Sequence, residues 1–341
     1  MVISASLGDR LEAGITRGAS ALPPGVQRVL GGPRRVRIDG QVLDPEVQLL
    51  LRLMRIARRP EFETLPVPEA REEIRREAAS VAGRPLPVAR VEATTVPGPA
   101  GSLPARLYVP WGAPAAGPLL VYLHGGGWVV GDLDTHEVPC RFLAREAGVR
   151  VLAVHYRRAP EHPFPAAVDD AVAAVRFAIE ASDRLGADPA RVAVGGDSAG
   201  GNLSAAAARL LARDGGPAPA FQLLIYPVTD LSRKRRSYEL FRDGFFLTER
   251  QMDWYRDHYL PDAGAALDPS ASPLLAEDLS GLPPAHVAVA GFDVLRDEGI
   301  EYAGRLLQAD VDVSVGKHAG LIHGFANAAA IGRSSRAAML E

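Results

Sequence analysis

The chain has 341 residues, 47% of them hydrophobic and 23% charged, a composition that is ordinary for a globular protein with a sizeable core. Its formal net charge of −3 gives no electrostatic reason to expect a nucleic acid or an anionic membrane as a partner. The single cysteine, Cys140, excludes an intrachain disulfide and is typical of a reducing compartment, so we expect a cytoplasmic protein. Residues 1–20 lack the apolar stretch of a signal peptide, and no run of 18 apolar residues predicts a transmembrane helix.

From about residue 104, short apolar runs alternate with helical patterns. Strands are predicted at 106–109, 119–123, 151–154, 192–194, 221–226, 285–290 and 311–315. Helices are predicted at 135–147, 166–185, 199–212, 295–308 and 326–340. Continuous apolar runs are typical of strands that are buried on both faces of a parallel sheet. The pattern therefore predicts an α/β fold with a mostly parallel central sheet flanked by helices.

Two regions interrupt this alternation. Residues 1–85 show only helical patterns, at 45–56 and 67–81, and residues 232–268 carry a helix that opens with a capping box at 248–251. The second region is rich in aromatic residues, which are Phe241, Phe245, Phe246, Trp254, Tyr255 and Tyr259. We expect both regions to form an α-helical cap over the strand ends, where open α/β sheets bind ligands, although an extra layer without a gating role also fits. The core then consists of residues 86–231 and 269–341.

Two glycine-rich motifs carry the chemistry. Residues 196–200 read GDSAG, between an apolar strand-like run and an alanine-rich helical run. This G-x-S-x-G pattern predicts that Ser198 is an exposed nucleophile on a strand-to-helix turn. Residues 124–128 read HGGGW and offer backbone N–H groups that no side chain covers. The N–H groups expected to stabilise an oxyanion belong to Gly125, Gly126, Gly127 and Ala199.

A serine nucleophile needs a histidine base and an acid that orients the histidine. In α/β-hydrolases the acid follows the serine in the chain, and the histidine follows the acid. Asp293 lies just past one predicted strand, and His323 follows the next strand in a loop before a helical pattern. Because catalytic residues collect at the carboxyl ends of such strands, we predict a triad of Ser198, Asp293 and His323.

Rival residues fit the triad less well. Asp297 lies four residues beyond Asp293, inside a predicted helix, where it would support the first helical turn. His318 precedes an Ala-Gly turn, and His286 begins a strand at the end away from the site.

Phosphate and metal sites also lack their signatures. No lysine follows Gly200, as a Walker loop requires, and Val130 stands at the third glycine position of a dinucleotide fingerprint. His136 and Glu137 lead to Cys140 instead of the second histidine of H-E-x-x-H. We therefore expect neither a metal nor a cofactor.

The motifs together resemble the bacterial branch of the hormone-sensitive lipase family of α/β-hydrolase carboxylesterases. The resemblance rests on HGGGW, on GDSAGGN from residue 196, on IHGF from residue 322 and on YRRAPEHPFPA from residue 156, and it covers roughly residues 45–330. It implies an α/β-hydrolase fold with a helical cap. Position by position, it makes Ser198 the nucleophile, Asp293 the acid and His323 the base.

The same resemblance concerns three further positions. Asp197 places the chain in the subgroup with aspartate before the nucleophile, and Glu161 belongs to a family segment that lies near the site and could support it. Arg158 stands where the family has leucine, and the sequence gives no interpretation of that change.

These features predict a serine carboxylesterase that hydrolyses short- to medium-chain acyl esters of small molecules through an acyl-enzyme, with no cofactor. An amidase or deacetylase with the same triad stays open, because both reactions pass through an acyl-enzyme, and matched ester and anilide substrates would separate them. A non-catalytic small-molecule receptor on this fold would be expected to lose a triad member. Relatives of the family often form dimers, so the resemblance allows a homodimer; neither nucleic acid nor a membrane is expected as a partner.

Overall fold

An eight-stranded sheet forms the centre of the computed structural model, which describes residues 7–341. The strands in chain order are β1 (Arg37–Ile38), β2 (Gln41–Val42), β3 (Arg90–Gly98), β4 (Gly101–Val109), β5 (Gly117–Leu123), β6 (Arg150–Val154), β7 (Ala187–Asp197), β8 (Gln222–Ile225), β9 (Ala285–Phe292) and β10 (Val313–Ile322). The central sheet has the order β10-β9-β8-β7-β5-β6-β4-β3, and β1 pairs with β2 in a separate hairpin.

The α-helices flank this sheet or cover its ends. They are α1 (Leu7–Ala21), α2 (Pro24–Gly31), α3 (Pro45–Ala57), α4 (Val67–Val81), α5 (Glu137–Glu146), α6 (Ala166–Glu180), α7 (Ser182–Leu185), α8 (Ala199–Arg213), α9 (Arg236–Phe241), α10 (Glu249–Tyr259), α11 (Arg296–Gln308) and α12 (Arg333–Leu340). Short 3₁₀ segments cover Phe62–Thr64, Ala263–Leu267, Pro273–Leu275 and Phe325–Ala328. No helix within residues 7–341 has the length and apolar character needed to span a bilayer.

The sheet confirms the predicted mostly parallel α/β architecture. All neighbouring strands from β10 to β6 run parallel, whereas β4 is antiparallel to both β6 and β3. Every residue of β6 is buried, as expected for a strand with helices on both faces. Helix α8 packs on β7 and β8, and α11 packs on β9 and β10. The core therefore shows the predicted alternation of strands and helices.

The observed elements differ from the predicted ones in detail; the helix predicted at 166–185, for example, is divided into α6 and α7. Strand β3 was missed because it is an edge strand with a mostly solvent-facing sequence and gives no apolar run. The helix predicted at 326–340 is instead a 3₁₀ turn followed by α12, which begins after Gly332. The first 85 residues were predicted to be helical, but they also contain the hairpin of β1 and β2. Asp39 and Gly40 form its turn, with positive φ values of 54° and 76°.

The N-terminal helices and the segment 232–268 meet on one side of the molecule. Helix α1 packs on α3 and α4, and α3 contacts the edge strand β10. Helix α10 begins with the predicted capping box, in which Thr248 and Gln251 exchange hydrogen bonds. Phe62 contacts both Trp254 and Tyr255 of α10, with ring centroids 5.7 and 5.6 Å apart. The two regions that interrupt the βα rhythm are thus joined by aromatic packing.

Candidate active site

Ser198 lies on the sharp turn between β7 and α8. Its backbone has φ 56° and ψ −118°, a conformation that side-chain-bearing residues rarely adopt and that costs about 1–3 kcal/mol. The turn also brings three backbone segments together, since a Cβ atom on Gly196 or Gly200 would lie 2.2 or 1.8 Å from the carbonyl oxygen of Leu123. The two glycines of G-x-S-x-G are therefore required by close packing around Ser198.

The register of the sheet brings Asp293 and His323 together. Strands β9 and β10 are parallel neighbours, and Phe292 pairs with Ile322, so the next residue of each strand emerges at the same edge. The Nδ1 atom of His323 lies 2.8 Å from Oδ2 of Asp293, and both side chains are buried. The other carboxylate oxygen of Asp293 accepts the N–H of Leu295 at 3.0 Å. These bonds fix both the carboxylate and the imidazole.

The rival residues lie in other environments. Asp297 accepts the backbone N–H of Ser237 at 2.8 Å and pairs with Arg296, so it stabilises the junction of α9 and α11. His286 bonds Ser314 across the sheet at 2.8 Å.

Two residues of the glycine loop, Gly126 and Gly127, line the same cavity as Ser198. Within residues 7–341, the N–H groups of Gly126 and Gly127 have no protein acceptor, and neither has that of Ala199. The N–H of Gly125 was predicted to face an oxyanion, but it donates to Oδ1 of Asp197 at 3.0 Å. Gly125 therefore anchors the loop, and its N–H is not free to bind a substrate oxygen.

Asp197 is the centre of a buried network beneath this loop. Its Oδ1 atom also accepts the hydroxyl of Tyr122 at 2.7 Å, and its Oδ2 atom lies 3.3 Å from Nε2 of His136. Burial alone would raise the pKa of Asp197, but His136 and Tyr122 hold it below its usual range. Burial likewise opposes protonation of His136, but the Asp197 carboxylate raises the pKa of that imidazole. Both pKa shifts favour the charged forms of this buried pair, which anchors the loop through Gly125.

His136 is close to Ser198 in space but cannot act as its base. The Thr135 hydroxyl donates to the carbonyl of Asp132 at 2.8 Å, so it must accept from Nδ1 of His136, also at 2.8 Å. The Nε2 atom of His136 faces Asp197 and the N–H of Gly125. Both ring nitrogens are thus engaged away from the serine, whereas in His323 only Nδ1 is bonded to the acid.

Arginines hold the outer side of the glycine loop. Arg158, which the sequence left without an interpretation, donates to the carbonyl of Gly131 at 2.6 Å. Arg71 of α4 donates to the carbonyl of Val129 at 2.9 Å and forms a bidentate ion pair with Glu161 at 2.6 and 2.7 Å. Hydrogen bonding to Arg71 lowers the pKa of Glu161 to about 2. Glu161 is half exposed, and its ion pair with Arg71 connects it to the loop.

Two adjoining cavities surround these groups, each of about 100 Å³. The first is lined by Ser198, Gly126, Gly127, His323 and Tyr255, which is an aromatic residue of α10. The second is mostly apolar and lies between α3, α4 and the segment after β10. Ser198, His323, Gly126 and Gly127 therefore line one cavity. No group of three or more His, Cys, Asp and Glu side chains within the described residues could hold a metal ion.

Some of these residues could not be found from the sequence. Tyr122 and His136 match no motif, and they gain their roles only because β5 and the loop before α5 converge on Asp197. The only available signal was the carboxylate before Ser198 in GDSAG, since a buried carboxylate requires partners.

A model of a protein family described as alpha/beta hydrolase fold matches residues 120–327. Carboxylic ester hydrolase LipN of Mycobacterium tuberculosis (strain ATCC 25618 / H37Rv) is 49% identical over 330 residues, which are 94% of this chain and 86% of that protein. Ethyl acetate hydrolase of Pseudomonas putida is 40% identical over 293 residues, 83% of this chain and 92% of that protein.

A solved structure of ester-hydrolase EH1AB1 from the metagenome of Lake Arreo superposes with a TM-score of 0.84 at 42% identity, covering 87% of this chain and 96% of that one. That structure contains a derivative of bipyridine phosphonate. The fold, the family model and these relatives agree: the chain belongs to the hormone-sensitive lipase-like family of α/β-hydrolase carboxylic ester hydrolases.

Proposed function

We propose that this enzyme hydrolyses short- to medium-chain acyl esters by nucleophilic catalysis, with Ser198 as nucleophile, His323 as base and Asp293 as the acid that orients His323. The observation that carries the proposal is the 2.8 Å bond between His323 and Asp293 beside a cavity that Ser198 also lines. The positive φ of Ser198 supports it, because strain of this kind concentrates at functional sites.

Each residue then has a defined step. The Oγ atom of Ser198 attacks the ester carbonyl while Nε2 of His323 takes its proton, and the bond to Asp293 keeps the remaining imidazole proton on Nδ1. His323 next protonates the departing alkoxide, which leaves as an alcohol, and the acyl group stays on Ser198. Water then attacks the acyl-enzyme with His323 again as base, which releases the carboxylic acid and restores the serine.

The oxyanion of each tetrahedral intermediate is assigned to the N–H groups of Gly126, Gly127 and Ala199. Support comes from the lack of any protein acceptor for these three groups within residues 7–341. A single donor of this kind typically contributes about 2.7–4 kcal/mol to the transition state. Gly125 is removed from the set because Asp197 accepts its N–H.

We assign the role of cap to residues 1–85, of which 7–85 are described, and to residues 232–268. The assignment is supported by Tyr255, whose ring lies so close to Gly127 that a Cβ atom there would be 2.1 Å away. It is also supported by Phe246, which lines both cavities. Cavities of this size, closed by aromatic rings, favour short and medium acyl chains. The name of the Pseudomonas relative, an ethyl acetate hydrolase, agrees with a small substrate.

Hydrolysis of p-nitrophenyl esters from acetate to palmitate by the wild type and by Ser198→Ala tests the proposal. We expect a maximum of kcat/KM at short or medium chains and loss of turnover in the variant. Failure of a folded wild-type protein to hydrolyse any ester would refute the proposal, and matched anilides would then test amide cleavage.

A homodimer and a cytoplasmic location are part of the same proposal. Strand β10 lies at the edge of the sheet, and we expect a second copy to pair with the part that β2 and α3 do not cover. Light scattering after size-exclusion chromatography measures the mass in solution. The buried, unpaired Cys140 supports a reducing compartment, which fractionation of the source cells tests.

A further inference from the structure

The cap places a carboxyl group at the junction of the two cavities. Glu77 lies on α4 and lines both the cavity that contains Ser198 and the adjoining apolar cavity. Its carboxylate makes no direct hydrogen bond or ion pair with another described residue, but the guanidinium of Arg59 attracts it. The nearby Arg59 is held by Glu12 at 2.6 Å and by Glu73 at 2.8 Å. Glu77 is partly exposed and lines both cavities, so its carboxylate is accessible to a hydrogen-bond donor that enters them.

A second acceptor faces the same junction. Asn327 also lines both cavities, and its side-chain Oδ1 atom is buried without a hydrogen-bond partner within the described residues. The apolar cavity beyond them is lined by Val47, Leu50, Met54, Val81 and Phe325. The buried Asn327 oxygen without a partner is unfavourable, and a hydrogen-bond donor at the mouth of the apolar pocket would relieve this cost.

A substrate that extends from Ser198 into the apolar pocket passes residues that line both cavities, and Glu77 and Asn327 are among them. A purely hydrocarbon chain would displace water from both groups without donating a hydrogen bond to either of them. A chain with a hydroxyl or amino group at this depth would instead donate a hydrogen bond to them. Burial raises the pKa of Glu77 to about 7 against the attraction of Arg59.

We propose that Glu77 and Asn327 form a specificity site that selects esters carrying a hydrogen-bond donor, a hydroxyl or an amine, on the part of the substrate that enters the apolar pocket. This inference rests on the proposed esterase function. The two residues do not take part in the chemical steps and act by recognising a remote group of the substrate.

The test compares kcat/KM for matched esters in a pH-stat. Ethyl butanoate is compared with ethyl 3-hydroxybutanoate and ethyl 3-aminobutanoate, and butyl acetate with 4-hydroxybutyl acetate, so that both sides of the ester are probed. We expect the wild type to prefer a donor-bearing ester of at least one pair. We expect Glu77→Leu to lower that preference about 10- to 100-fold, the range for a hydrogen bond to a charged group. Asn327→Leu should lower it in the same direction.

Two control variants separate recognition from general effects. Glu77→Gln keeps an acceptor oxygen and should retain the preference for the hydroxyl ester, while losing any preference for the charged amine. Glu69→Leu removes an exposed carboxylate from the same helix and should leave every ratio unchanged.

The outcomes distinguish this inference from the proposed function. Hydrolysis of the plain esters, with ratios that Glu77→Leu and Asn327→Leu leave unchanged, would overturn the specificity site and leave the esterase intact. The absence of hydrolysis of every ester by the wild type would overturn both.

Discussion

Replacement of Asp293 by asparagine should abolish most of the activity without unfolding the site. The asparagine Oδ1 atom can still accept the N–H of Leu295, which Asp293 accepts at 3.0 Å. Its amide NH₂ group, however, occupies the position of Oδ2, 2.8 Å from Nδ1 of His323. Because two donors cannot face each other, the imidazole must carry its proton on Nε2. In that tautomer His323 cannot accept the proton of Ser198.

The expected loss follows from this inverted tautomer. The corresponding change in a serine-histidine-aspartate triad lowers kcat about 10⁴-fold, which is about 5 kcal/mol of transition-state stabilisation. Initial rates on p-nitrophenyl butyrate measure the effect, and the melting temperature shows whether the variant is folded.

Asp297→Asn is the matched control, because Asp297 follows four residues later but bonds Ser237 and Arg296. It should retain activity within a few-fold of the wild type. A loss in Asp297→Asn as large as that in Asp293→Asn, or an Asp293→Asn variant with nearly normal kcat, would refute the assignment of the acid.

Two further predictions concern the glycine loop. Gly127→Ala should lower kcat/KM by about 10²-fold or more, because a Cβ atom would lie 2.1 Å from the ring of Tyr255 and displace an oxyanion donor. The control is Gly148→Ala, which has a similar φ of 65° but lies in open space and should lower only the stability. Equal losses of kcat/KM in the two variants would contradict the prediction. Asp197→Asn should lower the free energy of unfolding more at pH 6 than at pH 9. Because the pKa of His136 is raised in the folded state, the ion pair is fully stabilising below pH about 6.5, and this contribution is lost as the pH rises through the folded pKa. Chemical denaturation at both pH values measures the free energy of unfolding of the wild type and the variant. An equal difference between the two proteins at both pH values would exclude the ion pair.

The sheet and the serine turn could be predicted because their signals are local. Strands such as β6 are continuous apolar runs, and G-x-S-x-G records a steric requirement, since Gly196 and Gly200 both abut Leu123. The proximity of Asp293 and His323 could also be predicted, because the carboxyl ends of parallel strands lie at one edge of the sheet.

What could not be predicted depends on contacts between distant segments. The direction of the Gly125 N–H is decided by Asp197, 72 residues later, so the sequence suggested an oxyanion donor where the structure has an anchor. The partner of Glu161 is Arg71, 90 residues earlier, on a helix whose position depends on tertiary packing. Edge strand β3 could not be predicted, because half-exposed strands lack the apolar run that identifies buried strands.

Covalent labelling of Ser198 tests the central claim most directly. Incubation with a p-nitrophenyl alkylphosphonate, followed by mass spectrometry of the intact protein and its peptides, identifies the nucleophile. The account predicts one phosphonyl group per chain, located on Ser198, with release of one equivalent of p-nitrophenol and with much slower labelling in His323→Ala. Labelling at another residue, or an active esterase whose Ser198 stays unmodified while the reagent inactivates it, would contradict the account.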